Sequence, residues 1–162
     1  MIKEYFIGID LGTTNSLMAW SKIDTNEKIN TEIVDINMMD ETGGKVKSKK
    51  LPSIVYFGKE TPIIGSYAKN MMITRPDMVL KSVKSFMGEN RTFDYNKNKY
   101  TGSEIQSLIL NQMAKSSKNL FGFIPKNVII TVPASFDSDM RKETLEAAEK
   151  AGFAVKKNRW FL

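Results

Sequence analysis

Asp10 ends an apolar run that starts at Tyr5, and Gly12, Thr13, Thr14 and Asn15 follow it before a second apolar run opens at Ser16. A glycine at that place lets a ligand approach the backbone with no Cβ in the way, while successive N–H groups and two hydroxyls can cradle phosphate oxygens. The carboxylate cannot bind phosphate itself, because like charges repel. Its natural partner is a hydrated Mg²⁺, which takes one or two carboxylates together with waters and substrate phosphates. The same residues also suit a plain hairpin turn to which Asp10 is hydrogen-bonded. Neither G-x-x-x-x-G-K-[ST] nor G-x-G-x-x-G occurs, so the turn is not a Walker loop or a dinucleotide fingerprint.

Composition narrows the chemistry in the same direction. The chain has 162 residues, 24 Lys+Arg against 18 Asp+Glu, no His and no Cys. Without His there is no Ser-His-Asp triad, imidazole base or His-ligated zinc; without Cys there is no thiolate and no disulfide. Carboxylates, Lys, hydroxyls, backbone amides and an oxygen-bound hard metal remain, a set suited to phosphates. Apolar residues make up 41% of the chain before its ten glycines are counted, within the range of an ordinary globular protein with a real core. The N-terminus has one Lys and an apolar run broken by Asp10, and no 18-residue apolar stretch occurs, so the chain reads as cytoplasmic. The net charge of +6 does not point to nucleic acid, because the positives are scattered. Lys45, Lys47, Lys49 and Lys50, the densest cluster, have no interleaved aromatics and read as a solvated loop. Asn90-Arg91-Thr92 fits a glycosylation sequon, which reads as accidental without an export signal.

The elements around the turn can be laid out from periodicity and punctuation. Tyr5 to Asp10 reads as a buried strand, Ser16 to Ser21 as its hairpin partner, and Thr31 to Ile36 as a third strand after a turn at Thr25-Asn26-Glu27-Lys28, with Ile33, Val34 and Ile36 facing the core. Asn37 to Lys50 is too polar to be core and marks entry into a second unit. There Ser53 to Phe57 and Pro62 to Gly65 read as strands, and Tyr67 to Met71 as a short helix. Pro76 and Asp77 suit a helix start, and Val79, Val83, Phe86 and Met87 fall on one helical face that Gly88 ends. A polar hairpin, Thr92 to Tyr95 with Lys99 to Tyr100, leads to the capping box Thr101-x-x-Glu104. Behind it Ile105, Leu108, Ile109, Met113, Leu120 and Phe121 trace a long helix that stops at Gly122. Val128 to Val132 fits a strand buried on both faces, stopped by Pro133, and Asp137 or Ser138 can cap a last helix to about Ala151.

Four ordered segments carry a resemblance. "IGIDLGTTNS" resembles the first phosphate loop of the actin, sugar-kinase and heat-shock ATPase superfamily. "LPSIVYF", "IIGSYAKNMM" with "LKSVKSFMG", and "YTGSEIQSLIL…VIITVPASFDSDMRKETLEAAEKAGF" narrow it to the 70-kDa heat-shock chaperones of the DnaK type, in register from residue 5 to about residue 153. The resemblance implies the first lobe of an actin-like ATPase fold, an α/β architecture with a mixed sheet. It implies a discontinuous core subdomain (1–37 and 101–162) and a small α+β insertion (38–100). Asp10 would sit by Mg²⁺ and its waters, and Gly12, Thr13, Thr14 and Asn15 would bind the nucleotide phosphates. Lys69, by itself a routine helix lysine, would be the catalytic lysine against the γ-phosphate. Pro133 and Arg141, locally a strand-terminating proline and a first-turn surface arginine, would relay nucleotide state.

As cofactors the resemblance implies ATP or ADP with Mg²⁺, and K⁺ as a further ion. As partners of a full-length protein it implies unfolded client peptides, a J-domain co-chaperone and a nucleotide exchange factor, with no nucleic acid and no membrane. The chain departs from the family pattern at Ser135 (usually Tyr) and Asp137 (often Asn), and after Gly152. The second phosphate loop and the adenosine-binding segment find no match, so an N-terminal piece, inactive by itself, is expected. Trp160, Phe161 and Leu162 would then form an exposed apolar end. A sugar kinase or an actin-like scaffold protein is the alternative reading.

Overall fold

The computed structural model describes residues 5–23, 28–89 and 91–154. The turn expected at residues 25–27 and the apolar end at Trp160, Phe161 and Leu162 lie outside them. Strands β1 (Tyr5–Asp10), β2 (Asn15–Ile23) and β3 (Ile29–Ile33) form an antiparallel meander, as their alternation and turn signals require. The hairpin β4 (Ile36–Met39) and β5 (Lys45–Ser48) follows, then β6 (Leu51–Pro52), which returns to pair with the start of β2. A second small sheet has β7 (Ile54–Tyr56) between β8 (Ile63–Ile64) and β9 (Val79–Lys81), with helix α1 (Ser66–Thr74) packed on it. The hairpin β10 (Thr92–Tyr95) and β11 (Asn98–Thr101) leads into the long helix α2 (Gly102–Phe121). Strand β12 (Asn127–Thr131) then pairs in parallel with β1, which makes the main sheet mixed, and α3 (Ser138–Lys150) follows.

Period-2 burial ties the sheet to the helices. Ile7, Ile9, Met18, Val128 and Ile130 are buried and share one core with Ile105, Ile109, Leu110 and Met113 of α2 and with Ala147 and Ala148 of α3. Residues on the alternate face, Gly8, Asp10 and Thr131, are exposed. α2 starts at the expected capping box, Glu104 N–H donating to Thr101 Oγ1 and Thr101 N–H to Glu104 Oε2, and ends at Gly122 in the left-handed region. The core does not stop at the main sheet: Met38, Leu51, Val55, Phe57, Val83 and Phe93 belong to the same cluster.

Five expectations are corrected. The third strand ends at Ile33, which is 46% exposed, and Val34 and Ile36 reach the core from beyond it. Residues 37–50 are not a loop but carry most of the β4–β5 hairpin, with Met38 buried and the lysines Lys45 and Lys47 on an exposed strand. No α-helix runs from Pro76 to Gly88. A 3₁₀ turn at Pro76–Met78 feeds β9, Ser82 takes a left-handed conformation (φ 58°), and a second 3₁₀ turn spans Val83–Phe86. Pairing of β9 with β7 overrides the helical spacing, and Val79 and Val83 end up in different clusters. Leu120 is 54% exposed, off the face that α2 buries. Finally, β12 buries Val128 and Ile130 but leaves Ile129 half-buried and Thr131 exposed, so it alternates rather than being buried throughout.

Candidate functional site

The β1–β2 hairpin register, Asp10 opposite Leu17, places Gly12, Thr13 and Thr14 in the connecting turn and Asn15 at the first position of β2. The parallel register sets Thr131 of β12 beside Asp10, and the Thr131 hydroxyl donates to Asp10 Oδ1 at 2.8 Å. One carboxylate oxygen is thereby oriented, while Asp10 itself stays exposed at the strand end.

The turn is held from behind. Pairing of β6 with β2 (Asn15 with Pro52, Ser16 with Leu51) delivers Ser53 under it. Ser53 Oγ donates to the Gly12 carbonyl at 2.8 Å and Ser53 N–H to the Thr14 carbonyl at 2.9 Å. The Ser16 and Ser53 hydroxyls are 2.9 Å apart and both buried. Since the single Ser53 proton goes to Gly12, Ser16 is the donor of that pair. From another side the Lys84 ammonium donates to the Leu11 carbonyl. Three carbonyls, of Leu11, Gly12 and Thr14, are thus tied by neighbours. In a planar trans peptide the C=O and the following N–H point in opposite directions, so the N–H groups of Gly12, Thr13 and Asn15 are aimed away from those ties. Gly12 has no alternative at its position: a Cβ there would lie 2.0 Å from the Asn15 carbonyl oxygen. Thr13 and Thr14 are exposed.

Such a turn suits anionic oxygens, through directed N–H groups and two hydroxyls. Among the described residues no group of three or more His, Cys, Asp and Glu could hold a metal. The charge of Asp10 acts on Lys84. Burial pushes the Lys84 ammonium below its ordinary range, and the Asp10 charge pulls it back up.

Lys69 is exposed on α1, and the described residues give its side chain no hydrogen bond or ion pair with this turn. Pro133 and Arg141 are joined through the turn before α3: Phe136 N–H donates to the Pro133 carbonyl at 3.0 Å, and Arg141 Nε donates to the Phe136 carbonyl at 3.0 Å. Asp137 caps α3, its side chain accepting from Met140 N–H. Sequence reasoning did not single out Ser53, Thr131 or Lys84. Each lies within one of the segments "LPSIVYF", "ITVPASF" and "LKSVKSFMG", so the signal was present as segment membership rather than as chemistry.

Comparison with known proteins places the chain in a family. The family described as "Hsp70 protein" matches residues 6–97 and 89–158. The chaperone protein DnaK of Thermosipho melanesiensis is 36% identical over 154 residues, 94% of this chain and 24% of that protein. The DnaK of Thermotoga maritima is 35% identical over the same shares. That of Mycoplasmopsis agalactiae is 36% identical over 96% of this chain and 24% of its own length. The chain therefore spans about a quarter of the curated relatives it matches, and neither a sugar kinase nor an actin-like scaffold is favoured. With a family match that runs through residues 6–97 and 89–158, and so through nearly every described element, the chain belongs to the Hsp70 family.

Proposed function

We propose that this chain supplies the first phosphate-binding wall of a chaperone ATPase, which as a full-length protein hydrolyses ATP to drive binding and release of unfolded client peptides. The observation that supports it is the turn at Gly12 to Asn15, whose carbonyls at Leu11, Gly12 and Thr14 are tied back and whose N–H groups therefore face the other way. In this reading Gly12, Thr13, Thr14 and Asn15 hold the β- and γ-phosphates. Asp10, oriented by Thr131, would order the waters of Mg²⁺, with K⁺ as a further ion. Mg²⁺ when bound neutralises charge on the transferring phosphoryl group. The protein's own part is positioning and electrostatic stabilisation, which dominate phosphoryl transfer. Lys69, on α1, would bring positive charge to the γ-phosphate and the attacking water. Pro133 and Arg141 would pass nucleotide state onward through Phe136.

The same reading divides the chain into a core subdomain, 1–37 with 101–162, and an insertion, 38–100, in the first lobe of an actin-like fold. A J-domain co-chaperone and a nucleotide exchange factor would serve the full-length protein in the cytoplasm. In that protein Asp10→Asn and Lys69→Ala should each lower steady-state ATP turnover by at least about a hundredfold, with thermal melting little changed, because both act on the transferring phosphate and its metal. Unchanged turnover in both variants overturns the assignment.

A further inference from the structure

Lys84 has a place that neither its sequence surroundings nor the proposed reaction accounts for. It sits in the 3₁₀ turn Val83–Phe86, which follows the left-handed Ser82. That turn is anchored on both sides: Val83 is buried in the main core, and Met87 is buried in a cluster with Val132, Phe136 and Met140. Gly88 N–H further donates to Glu143 Oε2 at 3.0 Å, so the segment is fastened to α3 as well. From this support the ammonium crosses to the end of β1 and donates to the Leu11 carbonyl, lying 5.7 Å from the centre of the Phe136 ring. A half-buried ammonium surrenders part of its hydration and is held here by a carbonyl and an aromatic face, so its position is determined by what it grips.

The gripped peptide bond joins Leu11 to Gly12. Fixing its carbonyl fixes the direction of the Gly12 N–H, the first donor of the phosphate turn. Ser53 fixes the next carbonyl and the one at Thr14, but it approaches from β6 and does not reach Leu11. Among the described residues, no other side chain holds the first peptide of the turn.

We propose that Lys84 is a positioning residue of the phosphate turn: by holding the Leu11 carbonyl it sets the Gly12 amide, and with it the whole turn, for nucleotide phosphate. It does not touch the reacting atoms. The role in turnover rests on the ATPase reading above, whereas the role in ordering the turn does not.

The test uses two variants and two readouts. Lys84→Met keeps an unbranched four-atom stem and removes the ammonium; Lys84→Arg keeps a cationic donor. The Ser53 amide, which donates to the Thr14 carbonyl, reports on the turn, and the Leu110 amide in the core of α2 reports on global opening. In this chain, by NMR-detected hydrogen exchange, Lys84→Met should speed Ser53 exchange about tenfold with Leu110 unchanged, and Lys84→Arg should restore most of the protection. In the full-length protein Lys84→Met should lower kcat about tenfold with little change in KM, with Lys84→Arg again recovering most of it. Equal acceleration of Ser53 and Leu110, or no acceleration of Ser53, overturns the proposal, as does wild-type kcat in Lys84→Met while Asp10→Asn is inactive. If Asp10→Asn and Lys69→Ala both keep wild-type turnover, the ATPase reading falls and the exchange comparison alone decides the role of Lys84.

Discussion

Gly12 and Ser53 divide the shaping of the turn after β1 between backbone and side chain. The backbone of the turn closes so tightly that a methyl group on Gly12 would meet the Asn15 carbonyl oxygen at 2.0 Å, a main-chain atom that cannot swing aside. Gly12→Ala must therefore displace the turn itself. On the ATPase reading, it should lower ATP turnover of the full-length protein about a hundredfold, a loss that misplacing the bound phosphate by an ångström can bring. Circular-dichroism melting of the same variant should show a smaller loss, because the turn is on the surface and the core lies elsewhere. Ser53 has the opposite profile, since it is buried and serves three partners: Gly12, Thr14 and Ser16. Ser53→Ala keeps the backbone donor but strands the Gly12 carbonyl and the Ser16 hydroxyl, so it should cost about 1–3 kcal/mol in urea unfolding. A loss below the scatter of such measurements would mean that water replaces the hydroxyl.

Among the elements, the β4–β5 hairpin shows how local chemistry organises a stretch that composition alone presents as solvent-exposed chain. Asp40 Oδ1 accepts from the Thr42 hydroxyl, the Thr42 N–H and the Gly44 N–H, each at 2.8 Å, and so builds the turn. Those bonds, the Thr42 hydroxyl first, hold its carboxyl below the ordinary value of 3.8. A carboxyl lowered in the folded state stabilises the hairpin at every pH above its unfolded value, and that contribution disappears as pH falls through the lower folded value. NMR titration should find the Thr42 and Gly44 amide shifts moving in one acid step whose midpoint lies below the ordinary carboxyl value, and Asp40→Ala should abolish that step.

The same hairpin shows what was legible in the sequence. Elements with their own punctuation were readable: the β1–β2 hairpin, the capping box of α2, its glycine stop, and the Asp137 cap of α3 all rest on a local residue that only one conformation satisfies. The segment Pro76 to Gly88 was not, because its apolar spacing is equally compatible with a helix. The deciding interaction, β9 against β7, is made with residues more than twenty positions away and has no local signature. Likewise Asp10 and the turn could be picked out from residue types alone. Ser53, Thr131 and Lys84 could not, since a serine after a proline, a strand threonine and a lysine are ordinary until topology brings them to the turn.

At the scale of the whole molecule, the site is one-sided. Asp10, Thr13 and Thr14 are all exposed, and among the described residues no cluster of three or more acidic groups faces them to complete a metal site. Phosphoryl transfer depends on groups placed around the phosphate from several directions, and a single turn in water supplies only one of them. What this chain does offer a nucleotide is long-range attraction, because a net charge of +6 draws a polyanion. That attraction is screened by salt, whereas contacts in a closed site are much less so. The two can therefore be separated. Calorimetric titration of the chain with ATP and Mg²⁺ should give no affinity tighter than about 1 µM at physiological ionic strength, where the Debye length is about 8 Å. Whatever heat appears at low salt should fade as salt is raised, and phosphate release should stay at the buffer rate. Submicromolar binding that survives added salt, with measurable turnover, would place a complete active site within these residues.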